Sequence, residues 1–123
     1  METELTVHEV ADKTGLNAHT IRYYERIGLI SSIKRATNGH RRYGEGDIDW
    51  IEFLKCLRST GMPISDMLRY VELQQEGDST TRDRQALLEA HRRRIKARIQ
   101  ELNGFLERIE GKIKYYQSLE TQP

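Results

Sequence analysis

Four histidines, one cysteine and a cluster of arginines and lysines are the side chains with chemistry to offer in this 123-residue sequence. His8, His19, His40 and His91 are widely spaced and Cys56 stands alone, so there is no HExxH, GxSxG or CxxC pattern and no glycine-rich phosphate loop. These residues predict no enzyme, no metal site and no cofactor. The cationic residues are more informative. Between Lys13 and Tyr43 stand seven basic residues (Lys13, Arg22, Arg26, Lys34, Arg35, Arg41, Arg42) against Glu25 alone, and then Glu45, Asp47, Asp49 and Glu52 follow without a basic residue among them. The whole chain carries only +1, so attraction to a polyanion has to come from this local segregation. His19, Thr20, Arg22 and Tyr23 are spaced to share the first turns of one helix, and such residues hydrogen-bond base edges and phosphates of duplex DNA. Arg35, His40 and Arg41 follow on a second element, from which they would reach flanking backbone. The plainer reading is solvated charge with two core tyrosines. Tyr24 goes to the core, in step with Ile21 and Ile27, while Arg22 and Tyr23 are read as contacts.

Local signals define the elements that must hold these residues. Thr6 and Glu9 form a capping box ahead of Val7, Val10 and Ala11, and Gly15 suits the end of that first helix. Asn17 caps a second helix through Ala18, Ile21, Tyr24 and Ile27, closed by Gly28. Two short helices joined by a glycine-containing turn make a helix-turn-helix, whose second helix enters a major groove. Asn38-Gly39 predicts the turn of a basic hairpin, because both central positions require positive φ. A third helix is expected from about Gly46 to Thr60, with Trp50, Phe53, Leu54 and Leu57 at core spacing and Gly61 as its stop. Met62-Pro63-Ile64 opens a fourth, with proline in the first turn and Ile64, Met67, Leu68 and Val71 as the apolar face.

A polar linker over 76–81 then leads into one unbroken heptad seam: Leu88, Arg92, Ile95, Ile99, Leu102, Leu106, Ile109, Ile113 and Tyr116, with Arg92 as its one polar member. The helix over 82–119 would be roughly 57 Å long at 1.5 Å per residue. A narrow apolar stripe of that length needs a second chain, so a homodimer is expected, and the seam alone is compatible with either helix orientation. Residues 120–123 form a short tail, too few to enclose a ligand. At 37% hydrophobic and 32% charged, the chain has room for one small head plus this helix and not for a large enzyme cavity. A single cysteine excludes an intrachain disulfide, no signal peptide is evident, and no apolar run approaches a membrane span. A cytoplasmic protein without membrane contact is the expectation.

Several segments together resemble the MerR family of transcription regulators: Thr6-Val7-His8-Glu9-Val10-Ala11, Thr14-Gly15-Leu16, Thr20-Ile21-Arg22-Tyr23-Tyr24-Glu25-Arg26, Gly28-Leu29-Ile30, Gly39-His40-Arg41-Arg42-Tyr43, Asp47-Ile48 and Leu57-Arg58-Ser59-Thr60-Gly61-Met62. The resemblance covers nearly the whole chain. It implies a mainly α fold: a winged helix-turn-helix DNA-binding head over 1–75, then the dimerising coiled coil, antiparallel. The hairpin would be the first wing, the fourth helix part of a second wing, and Arg58 a phosphate contact; His40 departs from the tyrosine common in the family. The implied activity is activation of a stress-response promoter by distorting its DNA so that RNA polymerase engages both promoter elements. Thiolate metal sites need two or more sulfur ligands, and the long helix has no cysteine, so a metal sensor is not expected. By composition Cys56 would be a small hydrophobe. Its surroundings resemble the aldehyde- and thiol-stress branch of the family, which implies a sensor of electrophiles. The alternatives are a regulator responding to an unidentified small molecule, and a coiled-coil structural or interaction protein, which would have no use for the basic block.

Overall fold

A computed structural model describes residues 5–30, 34–35 and 41–121, with the backbone path alone for the residues of the two short strands. It divides into two compact units, Met1–Arg84 and Gln85–Pro123. The first unit holds α1 (Val7–Thr14), α2 (Ala18–Arg26), β1 (Lys34–Arg35), β2 (Arg41–Arg42), α3 (Glu45–Ser59), α4 (Ile64–Glu76) and a 3-10 turn (Asp78–Thr80). A single helix, α5 (Thr81–Glu120), starts at the end of this unit and makes up almost all of the second.

The caps of α1 and α2 form as expected. Glu9 N–H donates to Thr6 Oγ1 at 3.2 Å while Thr6 N–H donates to Glu9 Oε1 at 3.1 Å. Asn17 Oδ1 accepts from Thr20 N–H at 2.7 Å. Gly15, at φ +77°, ends α1 in the left-handed region, and its N–H donates to Ala11 O. β1 and β2 pair antiparallel with Lys34 opposite Arg42 and Arg35 opposite Arg41; the Asn38-Gly39 turn and His40 lie outside the described residues. Leu5 and Tyr43 exchange two backbone hydrogen bonds of 2.8 Å, tying the start of the chain to the end of the hairpin.

Burial separates the predicted core into an inner and an outer layer. Val10, Ile21, Tyr24, Leu29, Tyr43, Ile51, Leu54, Leu57, Met62 and Met67 are all buried. Tyr24 is therefore a core residue, as its periodicity predicts. Trp50 and Phe53, expected in the core, are only half-buried. The face of α3 that turns inward carries Ile51, Leu54 and Leu57. Trp50 instead stacks on Tyr70 of α4 at 6.0 Å and 19°, beside Phe53, and its indole N–H donates to Leu29 O at 2.8 Å. An indole at the boundary keeps its ring packed and its N–H satisfied. Two boundaries shift as well. α3 begins at Glu45, with Asp47 Oδ2 accepting from Gly44 N–H at 2.9 Å, and Pro63 occupies the N-cap of α4 and not its first turn.

The stretch read as a polar linker is a built turn. Thr80 is buried; its Oγ1 lies 2.5 Å from Leu73 O and 2.8 Å from Gly77 O and accepts from Arg84 Nε at 3.2 Å. Along α5 the seam is half-buried at Leu88 and Ile95, while Ile99, Leu102, Leu106, Ile109, Ile113 and Tyr116 are exposed, from 48% at Leu102 to 59% at Ile109. An apolar row of this length on a water-facing helix marks an interaction surface. Among the described residues no helix is long and apolar enough to cross a membrane.

Gly15 also leaves room for the end of the Lys55 side chain. A Cβ there would stand 2.7 Å from Lys55 Nζ, which donates to Thr14 O at 2.6 Å and fastens α3 to the end of α1. Gly15→Ala is expected to cost about 1–2 kcal/mol for the left-handed backbone and roughly 1 kcal/mol more for the displaced hydrogen bond. Thermal unfolding checks this, with Lys55→Met as the variant that loses the hydrogen bond alone; an unchanged Tm in Gly15→Ala would contradict it.

Candidate nucleic-acid interface

The turn Gly15-Leu16-Asn17 lets α1 pack on α2, and burying Ile21 and Tyr24 decides which side of α2 faces out. On a helix, residues three and four apart share a face. With positions 21 and 24 inward, His19 and Arg22 are exposed while Thr20 and Tyr23 sit half-buried at the edge. The four residues singled out in the sequence thus lie on or beside one accessible strip of a short helix. The guanidinium of Arg26 lies over the Tyr23 ring, 5.6 Å from its centre. Arg26 is exposed and extends the cationic strip by one turn, which the sequence reading missed; the three-residue spacing of Tyr23 and Arg26 was the available signal.

Glu25, the acidic exception in the basic block, is also placed by the fold. Its Oε2 accepts from Tyr43 Oη at 3.0 Å, a bond that holds the end of the hairpin against α2. The backbone of β1 and β2 places Arg35 and Arg41 opposite each other on the hairpin. Arg58 is exposed near the end of α3, and its Nη1 donates to Met62 O at 3.4 Å, keeping the guanidinium beside the turn into α4. Cys56 is exposed, two residues before it. The Thr60 hydroxyl donates to the Cys56 carbonyl at 2.7 Å, closing the last turn of α3. Around the other end of α3, Lys13, Glu45, Ile48, Asp49 and Glu52 line an open groove. Its walls are mostly acidic, which disfavours a polyanion at that end of α3.

A helix-turn-helix with a cationic second helix, followed by a basic hairpin, defines a DNA-binding regulator of the winged helix-turn-helix class. Residues 5–74 match the MerR HTH family regulatory proteins and residues 48–112 match the MerR DNA-binding family. The chain belongs to the MerR family of transcriptional regulators, and it is accordingly a regulator and not an enzyme. It is 36% identical to an uncharacterized HTH-type transcriptional regulator of Haemophilus influenzae, over 91% of this chain and 83% of that protein. It is 45% identical to the HTH-type transcriptional regulator AdhR of Bacillus subtilis, over 74% of this chain and 65% of that protein. The crystal structure of HiNmlR, a MerR family regulator lacking the sensor domain and bound to promoter DNA, superposes with a TM-score of 0.86 at 34% identity, covering 96% of this chain and 94% of that one.

Proposed function

We propose that this regulator acts as a homodimer on a two-fold-related promoter site and activates transcription by distorting the promoter for RNA polymerase, with Cys56 as a sensor of aldehydes or other electrophiles. The observation that carries the DNA reading is the accessible strip of α2 with His19, Thr20, Arg22 and Tyr23, because a capped short helix turned outward by its buried partners is what a major groove accepts. His19, Arg22 and Tyr23 read or flank base edges; Arg35, His40 and Arg41 of the wing and Arg58 hold phosphates. The seam from Leu88 to Tyr116 joins the two copies. Likeness to a promoter-bound relative over nearly the whole chain supports the same use of the head here.

Sensing rests on the exposed thiol and on the likeness to AdhR. Addition of an aldehyde forms one S–C bond at the carbonyl carbon, and the thiol proton ends on the carbonyl oxygen. The product is a reversible hemithioacetal, and nothing is oxidised. Such an adduct would bias one of two head arrangements and so the promoter's shape. Footprinting a promoter fragment with wild type and with Cys56→Ser, with and without aldehyde, tests both parts. We expect a protected two-fold site for both proteins and an aldehyde response in wild type alone. Equal protection of random DNA would overturn the regulator's DNA reading, and a full response in Cys56→Ser would move the signal away from the thiol.

A further inference from the structure

We propose that Arg92, the polar member of the seam, sets the pairing of the two α5 helices by lying against Tyr116 of the partner subunit. The inference rests on the reading of the chain as a homodimer through this seam. It starts from a shallow groove on α5 lined by Gln85, Leu88, Glu89 and Arg92, at the beginning of the apolar stripe, and from exposed Tyr116 near the other end. The seam consists of two rows. Arg92, Ile99, Leu106 and Ile113 form one; Leu88, Ile95, Leu102, Ile109 and Tyr116 form the other.

A parallel pair stacks each seam residue on its own copy, which places two Arg92 guanidiniums together within an apolar interface. Like charges desolvated against each other oppose that arrangement. The antiparallel pair that the family resemblance implies sets one row against the other, and the heptad allows few registers. When the two-fold axis passes beside residue 104, Arg92 meets Tyr116 of the partner subunit, Ile95 meets the partner's Ile113, Ile99 the partner's Ile109, and Leu102 the partner's Leu106. Every seam residue from Arg92 to Tyr116 then has a seam partner, Leu88 alone meeting the partner's Glu120, and the one cation lies against an aromatic ring, a favourable contact. On one flank Lys96 faces the partner's Glu110, and Glu89 faces the partner's Gln117. On the other, Arg98 comes near the partner's Lys112, an unfavourable approach that is lessened because Glu101 of the same helix takes up the Arg98 charge in an ion pair.

Neighbouring registers are worse. A shift by one heptad in one direction covers Leu88 with the partner's Ile113 but sets Arg92 against the partner's Ile109, leaves Tyr116 opposite the partner's Gln85 and brings Glu89 to the partner's Glu110. A shift in the other sets Ile95 against the partner's Glu120 and carries Arg92 past the end of the seam. The occupant of the groove beside Arg92 is thus the last turns of a second copy, chosen by charge and ring chemistry together.

The test uses the full-length protein with Cys56→Ser and a spin label on a single new cysteine, Ser118→Cys, read by pulsed dipolar spectroscopy. With the axis beside residue 104 the two labels stand about 42 Å apart along the helices, and each neighbouring register changes this by about 10 Å. A distance near 42 Å supports the proposal, and one about 10 Å longer or shorter overturns the register. A parallel pair would bring the labels within about 20 Å, given helix axes 8–10 Å apart, and would overturn the orientation. Absence of dipolar coupling together with a monomeric sedimentation coefficient would overturn the dimer reading itself. Lys96→Glu and Glu110→Lys serve as a second measurement. Each alone is expected to weaken dimerisation up to about five-fold per contact and the double variant to restore it; lack of restoration would contradict the register.

Discussion

Leu102→Asp is expected to convert the protein from a dimer to a monomer at micromolar concentration. Leu102 lies mid-seam and is 48% exposed in the single chain, so in the proposed dimer the partner helix is what would cover it. Losing one such contact costs roughly 1.5–3 kcal/mol, and the change occurs in both subunits. A carboxylate placed in a dry interface adds its own desolvation cost. Together these exceed about 4 kcal/mol, so the dimer dissociation constant should rise by at least about a thousand-fold. Sedimentation velocity on wild type, Leu102→Asp and the volume-conserving Leu102→Met checks it. The methionine variant should remain dimeric, and a dimeric aspartate variant would remove α5 from its assigned role. Binding to a two-fold promoter site should fall with the dimer, since each head alone engages only half the site.

Arg22→Ala should carry the next largest effect, this time on recognition. Arg22 is exposed on the strip of α2 that Ile21 and Tyr24 turn outward. A guanidinium reading a base edge discriminates by about 1–3 kcal/mol, or roughly five- to a hundred-fold in affinity per head. The loss should fall on the footprinted site and leave scrambled DNA almost unchanged. Arg58→Ala makes the contrast. As a phosphate contact it should weaken both sequences alike and make the dependence of log affinity on log salt shallower by about one unit per head. Anisotropy titrations at several salt concentrations distinguish the two patterns. Equal losses on specific and scrambled DNA for Arg22→Ala would assign it to the phosphates.

Much of this architecture can be read without coordinates because its determinants act over a few residues. The Thr6–Glu9 box, the Asn17 cap and the left-handed Gly15 each depend on groups at most four positions apart, so type and spacing suffice. The heptad of α5 is likewise a property of sequence order, and its rows are legible from Leu88 to Tyr116. Tyr24 could be assigned inward because Ile21 and Ile27 share its period. Tertiary structure alone decided the contacts that bridge long separations. Tyr43 reaches Glu25 across 18 positions, Trp50 reaches Leu29 across 21, and Lys55 reaches Thr14 across 41. No local period encodes such pairs, since each requires one helix to be docked before the other group comes within reach. The same docking turned Ile51, Leu54 and Leu57 of α3 inward and left Trp50 and Phe53 at the boundary, although both sets have helical spacing. It also left Cys56 open to solvent, where composition alone favours a buried cysteine. Spacing along a chain shows which residues share a face, and only the packing of helices against each other shows which face is covered.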